Sequence, residues 1–248
     1  MNFLKRYGSF LAVGAIAGFV NGLLGAGGGI IVTFFLAKKL NKDGNTVFAN
    51  AVATMLPISV LSFALYLANG YFSFDEGFLT LLVPAILGGL LGAFLLTKLK
   101  FRFLKIAFSL LVIVSGFMMI VRLGMLDFLI FFAIAAISGM GLGGGGLLVI
   151  YLTLVVGTPQ IIAQGANLAF FIIAASFSTL YNAIKKQIKW KITLTMSASG
   201  IILAYLGTLT AGNMDSSILT KIFGAMLILG GLTSLLSTFS KKNQNQNI

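Results

Sequence analysis

The stretch "NGLLGAGGGI", residues 21–30, decides how this chain is read. It lies in an apolar run, yet four of the five residues 25–29 are glycine. A close copy, "SGMGLGGGGL", returns at residues 138–147. Glycine costs about 1 kcal/mol per position in a helix interior relative to alanine. Two such clusters in matching surroundings point to helices interrupted for a purpose.

The surroundings are those of a membrane. Of 248 residues, 58% are hydrophobic and 9% charged, and the mean hydropathy is +1.05. A soluble domain of this size needs more polar surface than that. Runs at 46–69, 77–97, 103–121 and 192–212 hold almost no charge, and a bilayer core roughly 30 Å thick needs about 20 helical residues. The chain therefore reads as an all-α polytopic membrane protein. The net charge of +12 sits in short loops between apolar runs, which fits membrane topology and excludes a nucleic-acid partner. Cysteine and histidine are both absent, removing thiol chemistry and the commonest metal ligand. The basic start "MNFLKRYGSF" is followed by no cleavage signal and is expected to remain a membrane element.

Residues 15–122 and 134–237 carry the same order of events, offset by roughly 115. Each half opens with an apolar run into a glycine cluster, "GAGGG" at 25–29 and "GLGGG" at 141–145. A helix with polar residues in its first half follows: "ANAVAT" at 49–54, "AQGANL" at 163–168. Another apolar helix comes next, with Gly92 matching Gly207, and "LKIAFSLLVIVSG" at 104–116 mirrors "TKIFGAMLILGG" at 220–231. This divides one membrane domain into a first repeat, 1–122, and a second, 123–248. Thr158 and Pro159 read as an N-cap and first helical residue, a role open to Asn45 and Thr46 in the first half.

Lysine and arginine test the topology. With each glycine-interrupted region crossing once, the loops divide nine against eight. With each region entering and returning on one side, they divide fifteen against two, a strong positive-inside signature. An unbroken helix over 9–38 would be about 45 Å long, too long for one upright crossing, while the halves beside the glycines are expected to be too short to span. Each repeat then holds a re-entrant half-helix pair plus three transmembrane helices. Three crossings per repeat invert the second relative to the first, a recurrent plan of secondary transporters. A long tilted broken span is the alternative.

A break in a helix creates a new N-terminus with unpaired N–H groups and a positive dipole end. Gly27, Gly28 and Gly29, with Gly143, Gly144 and Gly145, would offer such donors to an anion from opposite sides. Close helix packing is the competing account, and the preferred one for Gly18 with Gly22 and for Gly88 with Gly92. "GLGGGG" at 141–146 also matches a dinucleotide fingerprint, but no strand or βαβ unit fits here. Asn21, Asn50, Thr54, Ser138, Gln164 and Asn167 are the polar candidates to line the site, since amides and hydroxyls donate to oxyanions. Interhelical hydrogen bonding is equally open for the amides. All five acids (Asp43, Asp75, Glu76, Asp127, Asp215) fall in loops or at span ends. A divalent-metal carrier would want buried carboxylates or imidazoles and an intramembrane protease an acid pair or activated nucleophile. No enzyme, metal site or cofactor is expected.

At "GLLGAGGGIIV", 22–32, and "SGMGLGGGGLLV", 138–149, the chain resembles the TauE/SafE (TSUP) family of sulfite exporters and organosulfur-anion transporters. Each cluster precedes an alanine-rich helix start, at 49–53 and 163–167, and the resemblance extends over nearly the whole chain. Members often carry proline a few residues after the glycines; here those places hold Thr33 and Ile150 or Tyr151. The resemblance implies an inner-membrane transporter of sulfite, sulfonate or related small anions, working by alternating access. Both termini are expected in the cytoplasm, and a proton or a cation is open as coupling ion. A passive anion channel and a membrane scaffold subunit are the rival readings.

Overall fold

The structure, a computed structural model, describes residues 3–40, 44–73, 76–98, 133–136, 138 and 145–226, and among these all regular structure is helical. Expectations that rest on Gly143 and Gly144, on Asp43, Asp75 and Asp127, on 104–116 or on 227–231 lie outside the described residues. The elements are α1 (Phe3–Leu24), α2 (Gly28–Leu40), α3 (Gly44–Ala68), α4 (Glu76–Lys98), α5 (Gly145–Ile150), α6 (Gln160–Ile184) and α7 (Trp190–Gly212). A wider π-helical turn, Tyr151–Val156, continues α5, and residues 216–226 are helical. Among the described residues, four helices are long and apolar enough to cross a membrane: Arg6–Leu24, Gly44–Ala68, Gln160–Ile184 and Trp190–Gly212.

One expectation is corrected at once. The run before the first glycines is no short half-helix. It begins at Phe3, so its 22 residues rise about 33 Å, the depth of a bilayer core. Only α2, with 13 residues, is short, at about 20 Å. The chain turns between them in three residues, with Gly25 at φ +63° and Gly27 at φ +90°, backbone that L side chains avoid. α2 then folds back along α1, because Gly28 rests against Ala17 and the Phe35 ring meets Phe10 edge-on at 5.3 Å. Lys38 and Lys39 close α2, where the helix dipole favours cations.

Small residues set the closest helix pair. Gly14, Gly18 and Gly22 recur every four residues on one face of α1 and press against Met196, Gly200 and Ala204 of α7. A Cβ on Gly18 would overlap the Gly200 carbonyl. Matched positions rise together, so α1 and α7 run parallel although 182 residues separate Gly18 from Gly200. Gly92 of α4 packs against Ala136 in the same manner, and its sequence counterpart Gly207 against Phe19. For Gly18, Gly22 and Gly92, packing is therefore the observed use.

Helices α3 and α6 cross at the centre and are buried without interruption over 47–55 and 163–170. They run antiparallel: Asn50 reaches Gln187 beyond the end of α6, while Tyr66 meets Gln164 near its start. Gly165 lies beside Tyr71 and Phe72, and Gly89 farther along beside Ala174, so α4 runs parallel to α6. Pro57 stands inside α3 and removes one helical N–H; one residue past the freed carbonyl, Thr54 O accepts Ser197 Oγ at 2.9 Å. These directions gather Arg6, Lys38, Lys39, Lys185, Lys186, Lys189 and Lys191 at one end of the bundle.

Two helix starts move slightly. Pro159 (ψ 140°), not Thr158, is the N-cap of α6, and its carbonyl takes the Ile162 and Ala163 amides at 3.0 Å each. Asn45 and Thr46 lie inside the first turn of α3, which begins at Gly44.

Candidate functional site

The break at 25–27 treats its two helix ends differently. Three carbonyls around the end of α1 are taken: Asn21 O accepts the Gly25 amide at 2.9 Å, Gly22 O accepts the Tyr66 hydroxyl at 3.1 Å, and Gly25 O, in the turn, accepts Asn167 Nδ2 at 2.6 Å. At the start of α2 the Gly28 and Gly29 amides take no backbone carbonyl among the described residues, as first-turn amides do, and of the two only Gly29 lies on the cavity described next. Ile30 N–H turns back to Gly27 O at 3.0 Å. The positive end of a dipole thus faces outward while the negative end beside it is covered.

A cavity of about 30 Å³ opens here, against the ~10–15 Å³ that admits one water. It has room for two or three waters or one compact anion. Asn21, Gly25, Gly27, Gly29 and Asn167 form its polar wall, with Val52, Met55 and Phe171 opposite. Among the described residues, no charged side chain lines it. Dipoles therefore act on an occupant, the Gly29 amide among them as a donor.

The sequence candidates separate into groups. Asn21, Gly27, Gly29 and Asn167 come together on the cavity. Asn21 Nδ2 is directed to Ser59 Oγ at 3.1 Å, with Ser62 Oγ at 3.4 Å. Gly28 is absent from the lining and is wedged between the Ala17 carbonyl and Met55. Gln164 stands behind Gly25, its Cβ 2.6 Å from where a Gly25 Cβ would be; its Oε1 accepts Tyr66 O–H at 2.9 Å and its Nε2 has no partner among the described residues. Thr54 and Ser138 are buried, with hydroxyls likewise unpartnered. Gly145 opens α5 away from this cavity.

Asn50 belongs elsewhere. Its Nδ2 donates to Thr46 O and to Gln187 O at 3.0 Å, and its Oδ1 accepts Lys189 N–H at 2.7 Å and Thr193 Oγ at 3.1 Å. Three of these four bonds tie the loop between α6 and α7, and the first turn of α7, to the start of α3. Sequence reading missed Tyr66, whose hydroxyl joins α1, α3 and α6. The signal was present: Ser59, Ser62 and Tyr66 are spaced to share one face of a helix. It also missed Gly25 as the residue in left-handed backbone, since conformation at each glycine depends on where the chain must turn.

A glycine-broken helix pair in a bundle of membrane-crossing helices agrees with the comparisons. The family model described as "Sulfite exporter TauE/SafE" matches residues 3–119 and 127–248. The chain belongs to the TauE/SafE family. It is thus a member of a membrane-transporter family. A probable membrane transporter protein of Xylella fastidiosa (strain Temecula1 / ATCC 700964) is 27% identical over 236 residues, covering 87% of this chain and 89% of that protein. Its counterpart in strain 9a5c matches to the same extent. No solved structure matches this TauE/SafE chain at a significant level.

Proposed function

We propose that this TauE/SafE protein carries a small anion, a sulfite, sulfonate or related sulfur oxyanion, across the cell membrane by alternating access around the glycine breaks. The carrying observation is the asymmetry at residues 22–29: Gly22 O of α1 and Gly25 O of the turn are capped from α3 and α6, and Gly29 at the start of α2 lies on a cavity lined by no charged side chain among the described residues. Such a site favours a negative occupant. The family description supports sulfite or a chemically similar anion.

Two inverted repeats, 1–122 and 123–248, supply the alternation. Helices α3 and α6 have 25 residues each and start 116 apart; α4 and α7 have 23 each and start 114 apart. Each matched pair runs in opposite directions through the bundle, which supports inversion. The basic end is cytoplasmic by the positive-inside rule, so reporters fused near Lys100 and after Lys242 read cytoplasmic; a periplasmic signal at Lys100 would defeat this arrangement.

The test is a thermal-shift screen of purified protein against sulfite, thiosulfate, sulfoacetate, taurine, sulfate and chloride. A ligand bound to the native state raises the unfolding temperature by mass action. Flux against a gradient in proteoliposomes then identifies a transporter, and conductance at single-channel rates a channel. No response to any anion removes the reading.

A further inference from the structure

We propose that the anion held at this break carries a hydrogen-bond donor of its own, an N–H or O–H, which Asn167 Oδ1 accepts. The inference rests on the anion reading above and narrows it to a class: monoanionic oxyanions bearing a proton on oxygen or nitrogen.

The orientation of the Asn167 amide is fixed by its neighbour. Asn167 Nδ2 lies 2.6 Å from Gly25 O, a carbonyl that can only accept, so the nitrogen must point there. Reversing the amide would set two oxygens against each other. The arm left over is therefore the acceptor. Asn167 lines the cavity and is 2% exposed, and its Oδ1 has no partner among the described residues. Buried acceptors are almost always paired, and an unpaired one is costly.

The rest of the cavity has the opposite character. Of the residues lining it, Gly29 in the first turn of α2 offers an amide hydrogen, and Asn167 carries an oxygen without a partner among the described residues. A fully deprotonated, donor-free anion satisfies the amide but sets its negative oxygens near Asn167 Oδ1. An anion with one N–H or O–H satisfies both walls. Sites that hydrogen-bond a substrate group reject the analogue lacking it, because their own buried group is then left unpaired.

Sulfamate and methanesulfonate separate these cases. They share charge and shape and differ in an NH₂ group replaced by CH₃. Calorimetric binding to the purified full chain in nanodiscs is expected to favour sulfamate by about fivefold or more. Asn167→Leu is expected to bring the two within about twofold of each other. Equal binding of both probes to the wild type overturns the donor requirement and leaves the anion site standing. Binding of neither, with no response in the anion screen, removes the anion site itself. A folded Asn167→Leu protein that keeps the full preference overturns the assignment to Oδ1. Should that variant fail to fold, the wild-type ratio decides alone.

Discussion

Gly29 separates a binding role from a packing role at the glycine cluster. A Cβ built on it meets only Met55 Cγ, at 3.8 Å, an ordinary contact, and the residue lies in the first turn of α2 without left-handed backbone. Gly29→Ala therefore introduces no clash. It removes backbone freedom from the unfolded chain, a gain of about 0.5 kcal/mol, or roughly 1–2 °C in Tm for a protein of this size. The same methyl enters a cavity of about 30 Å³ and takes up a large part of it. An anion that fits the wild-type cavity then loses at least tenfold in affinity, about 1.4 kcal/mol. The assay pairs a thermal melt without ligand with anion counterflow in proteoliposomes. Unchanged or raised Tm with strongly reduced counterflow is expected. A variant equally stable and equally active refutes the placement of the anion beside Gly29. Gly25→Ala is the contrasting control: at φ +63° its Cβ would sit 2.6 Å from Gln164 Cβ and 2.8 Å from the Gln164 carbonyl. A loss of about 3 kcal/mol or more follows, and such a variant reports on folding alone.

Asn50→Leu removes four hydrogen bonds, three of them to residues 187–193; a loss of about 3 kcal/mol, with faster amide exchange in that loop, is expected, while anion affinity in the folded fraction stays within about twofold. Tyr66→Phe leaves Gln164 Oε1 and Gly22 O without their shared donor, lowering stability by about 1–2 kcal/mol, measured by thermal unfolding. Lys186 adopts φ +56° in the turn after α6, so Lys186→Gly is expected to raise stability by about 1 kcal/mol; a lower Tm would show that the lysine side chain supports the turn.

Apolar run length and the first glycine cluster were enough to establish a helical membrane protein with a helix broken at residues 25–27, because hydropathy and glycine cost act locally along the chain. The offset of roughly 115 residues likewise anticipated the equal lengths of α3 and α6. Other features depended on neighbours far away in sequence. Gly28 and Gly29 are indistinguishable as letters, yet one is pinned against Ala17 while the other lines a cavity. Asn50 and Asn167 are both buried amides in matched helices, yet the first spends three of its four hydrogen bonds on residues 137 or more positions away and the second keeps one oxygen without a partner among the described residues. The start of α1 at Phe3 extended a segment that pattern alone had cut short. Local periodicity reports which faces are apolar; which polar atom finds a partner is decided only when helices distant in sequence pack together.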